Sequence, residues 1–331
     1  MSTRTTVRSA QEVRVLVTQA LRLHGATETD ADTQADQLVE AELRGHPSHG
    51  LRRLPVLVAR LQAGLIVSGL PIEATWTGHA SLAIDGRRGF GPVVATAAIE
   101  LLLSRVDEQG ITMASIRNAG HVGMLAPYVE KFAEAGFIGI ALTTSEALVH
   151  PWGGVGALVG TNPIGIAVPA PDGPVVLDMS TGAVSRGKIN DHAARGIDIP
   201  AGWGIDADGE ATTSASSVDA ISPFGGAKGY ALGIALEVLV ATLTQSAVGR
   251  DVRGTLDTEH PVTKGDVFIC ISPPANLDTA RNIAHYLDQV RASGPDVTVP
   301  GDRARATKVR HEKHGIPVDD ELWGQLTSLT Q

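Results

Sequence analysis

The stretch Gly110-Ile111-Thr112-Met113-Ala114-Ser115-Ile116-Arg117-Asn118-Ala119-Gly120-His121-Val122-Gly123 decides how the rest of the chain is read. Gly110 to Arg117 is an apolar run with the length and composition of a buried strand. A histidine between glycines follows it. Glycine at a strand end lets backbone approach a ligand closely. An imidazole there can pass a proton near neutral pH, so His121 is the first candidate for an acid/base group. Taken alone it is one of eleven histidines, some of which serve structure.

Working outward, strands and helices alternate. Ser81 to Asp85 reads as a strand, Gly91 to Val106 as an Ala/Leu-rich helix and Leu125 to Ala135 as an amphipathic helix. Phe137 to Thr143, Gly165 to Val168, Val175 to Asp178 and Val267 to Ile271 read as further strands. This alternation predicts an α/β architecture with a largely buried sheet. The helix Gly229 to Thr242 is apolar on nearly all sides and is expected to be buried.

Both chain ends read as helical. A first helix carries Val13, Val15, Leu16, Ala20 and Leu21 on one face, and ends near Gly25. Thr29-Asp30 offers a cap for Ala31 to Arg44, and a third helix starts after Ser48 and runs to Gly64. From Asn276 onward, Thr279 to Ala292, Arg303 to His314 and Asp319 to Ser328 are helical, with Pro295 and Pro300 separating the first two. Gly294 to Gly301 is a loop able to reach back to a site. The expected organisation is an α/β domain over 74–274 and a helical domain formed from both chain ends, 1–73 with 275–331.

Composition bounds the function. A chain of 331 residues has room for two domains, and 43% hydrophobic residues supply a large core. Aromatics are only 4%, so that core is built from small aliphatic side chains. A formal charge of −9 disfavours nucleic acid as a partner. The one basic cluster, Arg303, Arg305, Lys308, Arg310 and Lys313, reads as a solvated helix face. Cys270 has no partner for an intrachain disulfide and reads as a buried, inert thiol. Met1 to Ala10 has no signal-peptide core, and the apolar run Tyr230 to Leu243 is too short for a bilayer and contains Glu237. A cytoplasmic protein with no membrane partner is expected.

Motifs narrow the chemistry. Gly86 to Gly91 and Gly154 to Gly160 lack the spacing of the dinucleotide fingerprint, and no phosphate-binding GxxxxGK[ST] loop exists. Pro223 to Gly229 frees backbone N–H groups at a helix start and adds Lys228, which suits an anion, although a flexible loop with an exposed lysine has the same appearance. Between two helices, Arg44 to Arg53 is dense in polar groups. Ser48 suits a cap, and Arg53 suits a bidentate grip on a carboxylate. His46 and His49 are split by Pro47 with no third ligand in view, so no metal is expected. Asp206 to Glu210 has the glycine of a calcium loop in the wrong place and reads as a hairpin turn. Asp178-Met179-Ser180 ends a strand, a usual ligand position in α/β sheets.

These pieces occur together in one family. The chain resembles the malate/L-lactate dehydrogenase family, which includes sulfolactate and ureidoglycolate dehydrogenases, diketogulonate reductase and cyclic-imine reductases. The resemblance runs from about residue 10 to the C-terminus. It is carried by Arg44-Gly45-His46, Ser48-His49-Gly50, Arg53-Leu54-Pro55, Gly120-His121, His150-Pro151-Trp152-Gly153-Gly154 and Gly160-Thr161-Asn162-Pro163. Leu177-Asp178-Met179, Arg186-Gly187-Lys188-Ile189, Gly202-Trp203, Gly225-Gly226 with Lys228-Gly229-Tyr230, and Pro300-Gly301 continue it in order.

The resemblance implies a non-Rossmann sheet domain that binds NAD or NADP, joined to the helical domain, in a homodimer with the site near the interface. It implies His121 as the proton carrier and Ser48, His49 and Arg53 as the substrate-side cluster, with Arg53 on the carboxylate. It also implies cofactor contacts from Ser145, Asp178, Met179, Ser180 and Lys228, with Thr161, Asn162, Gly301 and Asp302 as further contacts. Reduction of a 2-oxo acid needs a hydride, a proton for the nascent alkoxide and a cation on the carboxylate, and these residue types supply the last two. The reading is an NAD(P)-dependent oxidoreductase interconverting a small 2-hydroxy acid and its 2-oxo acid. The alternative is reduction of the C=N bond of a cyclic imino acid. A binding protein without chemistry and a metal-dependent hydrolase using His46 and His49 rank below both. Pro47, Val122, Thr144 and Ser180-Thr181-Gly182 depart from the family's common residues, which leaves the substrate and the choice between NAD and NADP open.

Overall fold

The structure is a computed structural model that describes residues 4–274 and 277–331. The expected domain boundary at 274/275, the expected helical start at Asn276 and Met1 to Thr3 touch residues outside that range. At the N-terminus come β1 (Thr5–Arg8), α1 (Ala10–Leu23), α2 (Glu28–Leu43) and α3 (Leu54–Gln62). Ser9 and Glu12 form a capping box on α1, each satisfying the other's backbone N–H. The cap of α2 is Thr27, whose hydroxyl accepts from Asp30 N, and not the Thr29-Asp30 pair. Asp30 is diverted: its carboxylate takes Ser68 Oγ at 2.6 Å and Gly69 N at 2.8 Å. The segment after Ser48 is a turn and a short 3-10 helix, Leu51–Arg53, before α3 starts with Pro55 in its first turn.

The middle of the chain contains β2 (Glu73–Trp76), β3 (Ser81–Gly89), α4 (Gly91–Gln109), β4 (Ile111–Ala119), α5 (Ala126–Glu134) and β5 (Ile138–Thr143). Short strands β6 (Ala147–Val149) and β7 (Val159–Gly160) follow, then β8 (Ile164–Val168), β9 (Val175–Met179) and α6 (Arg186–Ala194). Next are β10 (Gly204–Ile205), β11 (Ala220–Ile221), α7 (Ala227–Thr244) and β12 (Gly265–Ile271). The chain ends with α8 (Leu277–Ala292), α9 (Asp302–His314), β13 (Ile316–Asp319) and α10 (Asp320–Ser328).

Seven strands form one mixed sheet in the order β2-β3-β4-β12-β5-β8-β9. Only β3 and β4 run parallel; every other adjacent pair is antiparallel. The late strand β12 inserts between β4 and β5, which explains why Val267, Phe268 and Cys270 are completely buried. Burial, with the charge of Asp107 adding to it, pushes the Cys270 thiol up to about 12, so it is inert as expected. Helices α4 and α5 cover one face through Ile99, Leu102, Val129 and Phe132. On the other face α7 packs Leu236 and Val240 against Leu142 and Val267. A second cluster joins α1, α2 and α3 to the C-terminal Ile316, Val318 and Leu326, and β1 pairs with β13. Both chain ends therefore meet, and the expected boundary at 73/74 cuts β2 after its first residue.

Helix α7 departs from expectation. It buries only one side, along Gly229, Gly233, Leu236, Glu237, Val240 and Thr244. Val238 is 57% exposed and Leu239 46%, with Leu232 and Ile234 beside them. The sheet lies under one face only, and the described residues leave the other face uncovered.

Candidate active site

Strand β4 delivers His121 to a cleft of about 580 Å³. Asn118 takes a left-handed φ of 53° as the strand ends. The first residue of α4, Gly91, lies so close that a Cβ there would stand 2.4 Å from Gly120 O and 2.5 Å from His121 O. Glycine at 91 is thus what lets α4 brace the loop. From the other sides, Gln37 Nε2 donates to Val122 O and Met124 O, and Tyr128 Oη donates to Val122 O at 2.6 Å. The loop after the strand is held by three helices, α2, α4 and α5.

Across the cleft, the 46–50 turn presents Ser48 and His49. Ser48 Oγ lies 3.1 Å from His49 Nδ1. The imidazoles of His49 and His121 stack, centroids 5.6 Å apart and planes 22° from parallel. His121 Nδ1 accepts the Gly123 N–H at 3.1 Å, which leaves Nε2 to face the cleft. Helix α6 forms the adjoining wall, and a Cβ on Gly187 would stand 3.0 Å from Ser48 Cβ. Arg53 sits at the end of the 3-10 helix, and its Nη2 donates to Thr255 O.

The electrostatics are cationic. Withdrawal from solvent, reinforced by Arg53 and His46, lowers His49 to about 4. The same withdrawal, with Arg53, His49 and Lys264, holds His121 well below its ordinary value. Burial lowers Arg53 to about 10, against the opposing pull of Glu146, so it stays charged at neutral pH. Glu146 itself anchors the following wall by accepting from Thr255 N at 2.7 Å and Leu256 N at 2.9 Å.

Most expected site residues meet here. Ser48, His49, Arg53, His121, Ser145, Thr161, Asp178, Met179 and Ser180 all line the cleft. Ser145 Oγ and Thr161 Oγ1 are 2.9 Å apart, and Asp178 Oδ2 accepts from Leu125 N and Ala126 N at 2.8 Å each. Gly301 lines an adjoining cleft of about 370 Å³, together with Arg303 and Val176. The loop before it does reach back, since Val176 N donates to Pro300 O.

Three expected contacts do not line either cleft. Asn162 is fully buried and spends its amide on Gly233 O and Glu237 Oε2, bracing α7. Asp302 is tied to Arg291 and Arg305 and accepts from Val299 N, which holds its carboxylate at about 2. Lys228 is exposed at the start of α7, outside both clefts of this chain. The basic cluster is also more than a solvated face: Lys308 pairs with Glu40 at 2.7 Å and Arg305 donates to Pro174 O at 2.7 Å. The Asp206 to Glu210 turn is as expected, with Asp206 Oδ1 accepting from Asp208 N and Glu210 N.

The sequence reading missed Arg52, Arg186, Thr255 and Leu256 in the wall. Arg52 had a signal, being next to Arg53. Thr255 and Leu256 had none, because they arrive from far along the chain.

The two clefts meet at His46, Met124 and Asp178. Together they make one continuous cleft with Gly123, Gly301, Arg44 and Arg303 in its walls. Its size and these cations suit an anionic organic molecule.

The family model for malate/L-lactate dehydrogenase matches residues 8–327. A malate/(S)-sulfolactate dehydrogenase of Methanothermus fervidus is 35% identical, over 97% of this chain and 96% of its own. A Δ1-pyrroline-2-carboxylate/Δ1-piperideine-2-carboxylate reductase of Pseudomonas aeruginosa is 38% identical, over 97% and 98%. The crystal structure of a dehydrogenase from Sinorhizobium meliloti superposes with a TM-score of 0.94 at 46% identity, covering 99% of both chains. The chain therefore belongs to the malate/L-lactate dehydrogenase family of oxidoreductases.

Proposed function

We propose that this oxidoreductase interconverts a small 2-hydroxy acid and its 2-oxo acid with NAD or NADP in the continuous cleft. The observation that carries the reading is the stacked His49–His121 pair sharing one cleft with Arg53. When bound, the nicotinamide supplies or accepts the hydride. Arg53 holds the substrate carboxylate, which orients the neighbouring carbonyl toward the two imidazoles.

The imidazoles divide the remaining work. The Nδ1 of His121 is occupied by a backbone N–H, which can only donate. Protonating that nitrogen would break the bond, so His121 stays neutral and donates from Nε2 to the substrate oxygen. The Nδ1 of His49 faces a hydroxyl instead, and Ser48 can rotate to accept or donate. His49 can therefore carry a proton on either ring nitrogen and hand it to the nascent alkoxide. On this reading the proton role is shared between His121 and His49, with His49 moving the proton.

Two further readings rest on the same geometry. The sheet, with a single parallel pair, holds the dinucleotide without a glycine-rich fingerprint. The bare apolar face of α7 is covered by a second copy of the chain, giving a homodimer in which Lys228 faces the partner's groove. A panel of 2-oxo acids and cyclic imines with NADH and NADPH tests the function. Turnover of imines alone overturns the substrate class, and coenzyme binding without any turnover overturns the enzyme reading.

A further inference from the structure

Resting on that reading, we propose that Glu42 is a positioning residue: its buried carboxyl group sets the turn that presents Ser48, His49 and Arg53 to the cleft. Glu42 lies in the last turn of α2, outside both clefts and 7% exposed. The 3-10 helix Leu51–Arg53 starts without a cap of its own, since Gly50 has no side chain to offer. Its first N–H belongs to Leu51, which is completely buried. Glu42 supplies the missing acceptor from another helix: its Oε1 takes the Leu51 N–H at 2.7 Å.

The same carboxyl group carries the backbone just before Leu51. A Cβ on Gly50 would stand 2.6 Å from Glu42 Cδ, so the chain between His49 and Leu51 rests directly on it. The turn's other hydrogen bonds are local: His49 N donates to His46 O, Gly50 N to Pro47 O and Arg53 N to Gly50 O. They fix its shape. Its height over α2 is set by His46 N on Ala41 O at 2.8 Å at one end and by Glu42 at the other. Glu42 is itself held, because His311 Nδ1 on α9 donates to its carbonyl at 3.0 Å. Burial pushes the Glu42 carboxyl up, against the Leu51 N–H and the charge of Arg52. Burying a carboxyl group is unfavourable, and the placing of the turn is what accounts for it here. Both the His49–His121 stack and the hold of Arg53 on a substrate depend on where this turn stands. A displacement of about 1 Å at such a site can cost about 10²-fold in rate.

Glu42→Gln and Glu42→Met test the proposal, because the two side chains match in length and only glutamine keeps an acceptor oxygen. Glu42→Asp, one methylene shorter, draws the acceptor back from the turn. Steady-state reduction of oxaloacetate, pyruvate and Δ1-piperideine-2-carboxylate is measured with NADH and NADPH. Coenzyme affinity by fluorescence titration and far-ultraviolet circular dichroism are read alongside. On whichever substrate wild type reduces, Glu42→Met should lose about 10- to 100-fold in kcat/KM, with kcat falling and not KM rising alone. Glu42→Gln should stay within about threefold of wild type and Glu42→Asp should fall between, while coenzyme affinity stays within about twofold in all three. Should Glu42→Met fail to fold, Glu42→Asp against Glu42→Gln makes the same comparison, and equal activity of those two overturns the role. A folded Glu42→Met with full activity, a Glu42→Gln as impaired as Glu42→Met, or a matching loss of coenzyme affinity would overturn the positioning role and leave the 2-oxo acid reading standing. A wild type that reduces the imine alone would overturn the 2-oxo acid reading, and the role of Glu42 is then decided on the imine. A wild type that binds coenzyme and reduces nothing would overturn both.

Discussion

His49 and His121 come from elements 72 positions apart, yet their rings stack at 5.6 Å inside one cationic cleft. Neither can be read as an isolated acid. Burial lowers the basicity of both, Arg53 lowers both further, and His49 adds to the lowering of His121. Only His49 has a neighbour, the Ser48 hydroxyl, that tolerates either protonation state.

That asymmetry separates the two rings by mutation. His49→Gln should lower kcat about 10²- to 10⁴-fold, the usual contribution of a positioned proton carrier. His121→Asn, which keeps an N–H donor, should cost less, about tenfold or more in kcat. Neither should change coenzyme affinity much beyond twofold, as read by fluorescence titration with NADH and NADPH. Ser48→Ala should reproduce part of the His49 loss. If His121→Asn were silent the stacked pair would have no shared role, and if His49→Gln were silent the proton would have to travel through His121.

The pH dependence follows from the depressed basicity. His49 is lowered to about 4 in the free chain, so at neutral pH it is a proton acceptor. The kcat/KM for oxidation should therefore rise through about pH 4 and be flat around neutrality. For reduction, which needs the protonated ring, kcat/KM should fall as pH rises above that value. Once a substrate carboxylate sits on Arg53, the cation that depresses His49 is offset, and the inflection in kcat should move to higher pH than in kcat/KM. Arg53→Gln should move the kcat/KM inflection upward as well, because a neighbouring positive charge is gone. An inflection unmoved by that substitution would show that Arg53 does not set the basicity of the pair.

How much of this could be read from the chain depends on distance along it. The strand leading to His121 and the helix facing it were legible because hydrophobic period is local. The place of β12 between β4 and β5 was not, since the residues of Gly265–Ile271 carry no mark of their neighbours. In the site, Ser48, His49 and Arg53 were legible because one polar turn holds all three. Asn162 sits off the clefts, and a buried amide bracing a helix looks in sequence like one contacting a ligand. Asp302 likewise has its carboxylate engaged by Arg291 and Arg305, which sequence does not show. The apolar surround of α7 was legible, but which side faces this chain's own sheet was not.

Glu237 is where α7 is pinned. Its Oε2 accepts from Gly160 N at 3.1 Å and Asn162 Nδ2 at 2.7 Å, and its Oε1 accepts from Gly249 N. Glu237→Ala strands several buried donors, each costing about 1–3 kcal/mol when left unpaired. The expected result is a loss of about 3 kcal/mol or more in denaturant unfolding and a lower Tm. Glu237→Gln, which keeps one acceptor oxygen, should lose less. Equal stability of Glu237→Ala and wild type would mean that water replaces the carboxylate without cost.

The outer face of the same helix makes the last prediction. Leu232, Val238 and Leu239 lie exposed on α7, and Trp152 and Val155 are exposed on the loop after β6. An apolar surface of this kind marks an interaction site on a soluble domain. If a second copy covers it, a charge placed there must be desolvated against that copy, at a cost far above that of a surface substitution. Leu239→Asp should then move the protein from dimer to monomer in sedimentation velocity at micromolar concentration. The exposed position of Leu239 means that each chain should stay folded, with its far-ultraviolet circular dichroism unchanged. On the dimer proposal, coenzyme affinity should fall in that monomer and should become insensitive to Lys228→Ala, since Lys228 lies outside the clefts of its own chain. A wild type that sediments as a monomer, or a monomeric variant with undiminished coenzyme affinity, would place the α7 face outside the catalytic unit.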